Sequence, residues 1–347
     1  MLQERPPKLV YLDLNHWVEF SKAMAGHPGG EPFRPALDAC IDALGRHAAL
    51  FPLSDAIYME VSRMASFRQR RDLADVMQAL SRFVVITSRS LIADHEVEAL
   101  LDRVVGPRPD PKVAPLAYLA WGVARAFGKM GGWRVRNKDT GEDMTDWARS
   151  AHPRGSEWWD ATLADAEVRL NRQVIEGPSN AEDEADLKRH GYNPFVAYEH
   201  ATRRAQQEIA QAARLAAEPE WRRGRIRDVI ATHEVIVELL DKFTRGLIAR
   251  GKGSESVFAD DAAAREGFVQ MPSFDVAVTM KAAYHRDPNH RWTPNDVFDI
   301  DALGSTLPYC DIVVTDKAAA SHARRTGLAD RCGATVLSRV EDLLGLL

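Results

Sequence analysis

A chain of 347 residues with 45% hydrophobic and 27% charged side chains can hold one large core or two domains, and this composition argues against disorder. A net charge of −5 argues against indiscriminate coating of nucleic acid, but not against a nuclease, whose carboxylate metal site is acidic by construction. No run of about 18 apolar residues offers a membrane span, and the opening MLQERPPKLVYLDLN lacks the charged-then-apolar layout of a signal peptide.

In chain order, Lys8–Asp13, KLVYLD, is a short apolar run ending in an acid, the pattern of a buried strand in a parallel sheet. Asn15–Ala25 has helical spacing, with Trp17, Phe20 and Met24 on one side. Pro35–Leu50 predicts a second helix through Leu37, Ile41 and Leu44, and Phe51–Leu53 a short strand. Ser54 is a good N-cap for a helix carrying Ile57, Val61 and Met64. A helix over about Arg70–Ser81 precedes the β-branched run Val84–Thr87.

From about Ser90 to His285 strand signals nearly vanish. Long helices are expected at Asp160–Ile175, Pro194–Ala217 and Glu220–Ala249, and a small hairpin over Gly131–Thr145 around Asp139-Thr140-Gly141. Strand–helix alternation then returns. Thr293-Pro294 opens a helix in the favoured cap-then-proline order. Strands follow at Asp311–Thr315 and Ala334–Leu337, and helices at Lys317–Thr326 and Val340–Leu346. The expected fold class is α/β, with a central parallel sheet built from both ends of the chain, residues 1–89 and 286–347, interrupted by a helical insertion over 90–285. The scattered cysteines Cys40, Cys310 and Cys332 match neither zinc spacing nor a disulfide framework, so a cytoplasmic setting is expected.

Open parallel sheets place their sites beyond the carboxyl ends of the strands. Asp13 ends the first strand, followed by Asn15 and His16, which either support a metal site or cap the first helix. Asp316 ends the strand DIVVT. Glu60 lies beside the apolar stripe of its helix and can lean to the sheet edge. Asp296 and Asp299 are three apart and share a helix face. Asp296 is equally suited to cap its helix, Asp301 reads as a solvated acid, and Asp311 as a strand border. Several carboxylates at one sheet edge repel one another unless cations neutralise them, and oxygen ligands select hard ions such as Mg²⁺ or Mn²⁺. Such ions activate water and bind phosphate oxygens, which is the route to phosphodiester hydrolysis. The basic stretches Arg68, Arg70 and Arg71, Arg222, Arg223, Arg225 and Arg227, and Arg324 with Arg325 read as solvated helix faces.

The segment Asn295–Lys317, NDVFDIDALGSTLPYCDIVVTDK, resembles the C-terminal signature of PIN-like ribonucleases, especially large bacterial members. VYLDLNHW resembles their opening strand and SDAIYME their glutamate-bearing helix. The resemblance covers about the first 90 and last 75 residues. It implies a three-layer α/β/α fold, Mg²⁺ or Mn²⁺ as cofactor, and endonucleolytic hydrolysis of RNA. It carries the catalytic roles to Asp13, Glu60, Asp299 and Asp316, with Asp296 as a further metal ligand. The small family members would point to Asp301 for the third acid and lack the helical middle. An RNA substrate is thus the expected partner; a homodimer and a cognate inhibitor protein stay open as others. A non-catalytic PIN-like module binding RNA or protein is the alternative, and then a phosphatase with an aspartyl nucleophile, for which Asn15 stands where the second acid of a D-x-D pair belongs.

Overall fold

The structure is a computed structural model that describes residues 6–109, 118–129, 134–253 and 257–347. Strand β1 is Lys8–Leu12, β2 is Ala49–Leu50, β3 is Val84–Ile86, β4 is Leu119–Trp121, β5 is Ile312–Val314 and β6 is Thr335–Leu337. Four of them form a parallel sheet in the order β2-β1-β5-β6. The first and last parts of the chain therefore meet at the centre of one sheet. Leu12 pairs with Val314, and Asp13 extends the ladder by donating its amide to the Val314 carbonyl at 2.9 Å. The β1 sequence KLVYL becomes buried from Val10 onward, as a central strand with both faces covered requires. The Trp17 indole donates to the Leu12 carbonyl at 3.0 Å, which fixes the first helix against the strand it follows.

The strand expected at Phe51–Leu53 lies two residues earlier, at Ala49–Leu50, and takes the end of the expected Pro35–Leu50 helix with it; that helix stops at Gly45. Leu53 makes an isolated bridge to Val85 instead, so β3 sits beside the chain after β2 and pairs antiparallel with β4. The described part of the hairpin closes through an Arg136–Asp143 bridge, with Gly141 at φ 72°; Gly131, Gly132 and Trp133 lie outside the described residues. The single helix expected over Glu220–Ala249 is broken. Gly224 takes φ 88°, separating Pro219–Arg222 from Ile226–Glu234, and a π-turn at Val235–Leu239 precedes Leu240–Ile248. Glycine tolerates that backbone conformation at no steric cost. Among the described residues no helix is long and apolar enough to cross a membrane.

The main core unites β1, β5 and β6 with helices from along the whole chain. Val10, Trp17, Ile57, Leu73 and Val313 pack in one cluster with Val123, Ile175, Val276 and Met280 of the middle. A second cluster, with Leu101, Ile230, Phe243 and Phe274, lies inside the helical middle. The Pro272–Arg286 helix, buried along most of its length, contributes to both.

Candidate functional site

Asp13, Asp299 and Asp316 come together at the carboxyl ends of β1 and β5. Each offers a carboxylate oxygen, and the three oxygens lie within 4.8 Å of one another. Strand geometry delivers two of them. Asp13 follows β1 and caps the Leu14–Met24 helix, its Oδ1 accepting from the Leu14 amide at 2.7 Å. Asp316 stands two residues after β5 and caps Lys317–Arg325, its Oδ1 accepting from Ala318 at 2.6 Å and Ala319 at 3.1 Å. In both cases one oxygen serves the helix terminus. The other Asp13 oxygen has only a long contact to the Thr315 hydroxyl, 3.4 Å. The third acid arrives on the Pro294–Thr306 helix, and no side-chain hydrogen bond to Asp299 forms among the described residues.

The electrostatics follow from this crowding. Burial pushes the Asp299 carboxyl up to about 8, reinforced by Asp13, Asp316, Glu60 and Asp296. Burial also raises Asp13, against the Leu14 amide and His16, which favour its anion. Glu60 lies outside the trio but close enough to feel it. Burial and Asp13 push it up to about 7, while Arg63 counteracts. His16 is buried, with Nδ1 2.8 Å from Glu19 and Nε2 3.4 Å from the Thr315 carbonyl. Burial disfavours its imidazolium, yet Glu19 outweighs that and its pKa is raised. Asn15 is exposed on the first helical turn.

Asp296 completes a capping box, accepting from the Thr293 amide at 2.6 Å and hydroxyl at 2.8 Å, and lies outside the trio. Asp301 is not the solvated acid expected. It is clamped by Arg89 at 2.9 Å and by both terminal nitrogens of Arg204. Burial alone would raise its pKa, but Arg204 and Arg89 hold it at about 2. Asp311 borders its strand as expected, accepting from the Leu9 amide at 2.8 Å.

Three residues around the trio escaped the sequence reading. Tyr284 has its phenol raised by burial and then by Asp299, Asp296 and Asp316. Its ring stacks on His290 at 4.5 Å and meets His322 edge-on at 4.9 Å. The stretch AAYHRDPNHRW, dense in histidine and aromatic side chains, was the available signal for Tyr284 and His290; His322 had none.

No family model, no curated protein and no solved structure matches this chain.

Proposed function

We propose that the protein is a divalent-metal-dependent endonuclease hydrolysing RNA, built on a PIN-like three-layer α/β/α fold into which the helical middle is inserted. One contrast carries the reading. Several buried acids elsewhere are satisfied: Glu96 accepts from Ser273 and Tyr309, Glu208 from Lys281 and His285, and Asp301 from two arginines. No lysine or arginine makes an ion pair with Asp13, Asp299 or Asp316 among the described residues. A scaffold that only binds a partner gains nothing from such repulsion.

The donor set fits Mg²⁺ or Mn²⁺. The free oxygens are hard carboxylate donors, and opposite ligands of a Mg²⁺ ion stand about 4.2 Å apart, close to the span of the trio. Asp13, Asp299 and Asp316 would hold such an ion, which would supply Lewis acidity to a phosphate and lower the pKa of water. Glu60, set back and with a pKa near neutrality, is suited to take the proton of an attacking water. His16 ties the first helix to the Thr315 carbonyl and so keeps Asp13 and Asp316 in register.

Asp13→Asn and Asp316→Asn are the test, because asparagine caps a helix as well as aspartate does and the fold survives. Each variant should cleave labelled RNA in Mn²⁺ at least about a hundredfold more slowly, the scale of removing one key polar group from a catalytic site. Each should also lose the Mn²⁺-induced rise in melting temperature shown by the native chain. Parallel DNA substrates and a chelator control read the substrate class. Full activity in Asp13→Asn rules the reading out.

A further inference from the structure

We propose that a cavity walled by Arg227, Arg286, Arg325 and Arg331 binds a backbone phosphate of the RNA strand, a few nucleotides from the acidic trio. The assignment of that phosphate to RNA rests on the nuclease reading; the phosphate chemistry of the cavity does not. The cavity measures about 440 Å³, within the usual range of ligand pockets. Four guanidinium groups face a single carboxylate, Asp275, in a chain whose acids outnumber its Lys and Arg by 50 to 45.

The four arginines divide into two kinds. Arg227 and Arg331 form a fixed floor. Arg227 pairs with Asp275 Oδ1 and donates to the Thr279 hydroxyl at 2.7 Å. Arg331 donates to Asp275 Oδ2 at 3.0 and 3.1 Å, to Thr279 at 3.1 Å, and to the Thr326 carbonyl at 3.0 Å. This last bond matters because the carbonyl end of a helix otherwise disfavours an anion. Asp275 thereby orients two planar forks. Arg286 and Arg325 are different: both are exposed and neither makes an ion pair among the described residues. Arg325 has only the His322 ring at 3.2 Å. Two guanidiniums without ion pairs among the described residues, beside two that are paired, leave donors free for an anion, and the planar fork suits phosphate oxygens two at a time.

Placement decides between anions. Arg325 ends the helix that Asp316 caps, nine residues on, hence about 13 Å along its axis. Arg286 ends the helix that carries Tyr284, whose phenol feels Asp299 and Asp316. The cavity and the trio therefore lie along the same pair of helices. Strand charges repeat about every 3.4 Å along a duplex axis, so a strand cut at the trio lays a phosphate at the cavity within a few nucleotides.

Inorganic pyrophosphate and a fluorescent single-stranded RNA, both in chelator to prevent cleavage, test this with Arg286→Gln/Arg325→Gln. The native chain should bind pyrophosphate and the double variant at least tenfold more weakly, at an unchanged melting temperature. RNA affinity should fall about tenfold, and its salt slope by about 1.4, two contacts at about 0.7 each. Pyrophosphate binding that is absent, or equal in both proteins, overturns the proposal. Loss of pyrophosphate binding with RNA binding unchanged overturns the strand assignment and gives the cavity to a free phosphorylated small molecule. Absence of Mn²⁺-dependent cleavage while both ligands still depend on the arginines sinks the nuclease reading and leaves the phosphate cavity standing.

Discussion

Asp299 has four carboxylates acting on it, Asp13, Asp316, Glu60 and Asp296, and no side-chain hydrogen-bond donor among the described residues. That makes its ionisation a cost to the folded chain, and the sign of the consequence is fixed. A carboxyl whose folded pKa is about 8, well above its ordinary value near 4, keeps its proton in the folded state over a range where the unfolded chain has lost it. Stability is therefore lost as pH rises through that range. Glu60 and Asp55, both pushed up to about 7 by burial first and then by Asp13 or Asp301, act in the same direction. His16, with a raised pKa, does so too. The lowered histidines His95, His233 and His322 act oppositely, but their effect lies mostly below about pH 7, because the unfolded groups titrate around the ordinary value of about 6.5. Between pH 7 and 9 the melting temperature in chelator should thus fall, and Asp299→Asn should flatten that fall. Saturating Mn²⁺ should raise the melting temperature most at pH 9, where the anion that holds the ion is fully formed. A melting temperature that climbs from pH 7 to 9 in chelator, or a slope unchanged in Asp299→Asn, contradicts this account.

The Pro294–Thr306 helix shows how one element serves two environments. Asp299 meets the trio, while Asp301, two residues on, faces Arg89 and Arg204. Gly304 makes this clamp possible, because a Cβ there would lie 2.8 Å from Arg89 Cδ. Arg89 and Arg204 continue to Glu234 and Glu238, and Lys281 then joins Glu234 at 2.6 Å to Glu208 at 2.5 Å. The acid-bearing helix is thus anchored to the helical middle through one buried ion network. Asp301→Asn leaves Arg89 with Glu234 and Arg204 with Glu238 as their remaining acids; breaking a buried pair outright costs about 3–5 kcal/mol, and these remaining partners together with the partial accessibility of Asp301 favour a loss at or below the lower end. Urea unfolding should show that loss in Asp301→Asn and none in Asp299→Asn, so the two variants separate folding from chemistry. Equal stability of both variants would remove the anchoring role.

The same helix shows what the sequence discloses. Thr293, Pro294 and Asp296 form a local cap, and local chemistry is readable from neighbours in the chain. So were the strand ends at Asp13 and Asp316, because an apolar run closed by an acid is a local pattern too. The ion network was not. Glu208, Glu234 and Lys281 are charged residues on helices, indistinguishable in sequence from a solvated face, and they are buried only because partners from far along the chain meet them. Arg227, Arg286, Arg325 and Arg331 likewise come from scattered segments, and Arg70 turned inward to hold the Glu176 and Pro178 carbonyls at 2.6 Å each.

For the whole molecule, the question is whether the helical middle can be removed from the sheet it interrupts. Its residues are part of the sheet's own packing. Val276, Ala277 and Met280 are fully buried in the cluster that holds Val10 and Val313, and Val123, Ala126 and Ile175 close it from elsewhere. Uncovering the four larger side chains among them, Val123, Ile175, Val276 and Met280, costs about 1.5–3 kcal/mol each, against a typical total stability of about 5–15 kcal/mol. The network adds to the loss, since deleting the middle leaves Asp301 without Arg204 and Arg89 without Glu234. A chain joining residue 89 to residue 286 through a short Gly/Ser linker should therefore be unfolded or aggregated, and the intact chain should melt in one transition by both fluorescence and circular dichroism. Limited proteolysis gives the decisive reading. Cleavage of the native protein should not release a folded unit from the two ends, because its core includes side chains of the middle. A stable, monodisperse fragment containing β1, β5 and β6 but lacking residues 90–285, with a melting temperature near that of the intact chain, would show that the sheet and its acidic trio stand independently.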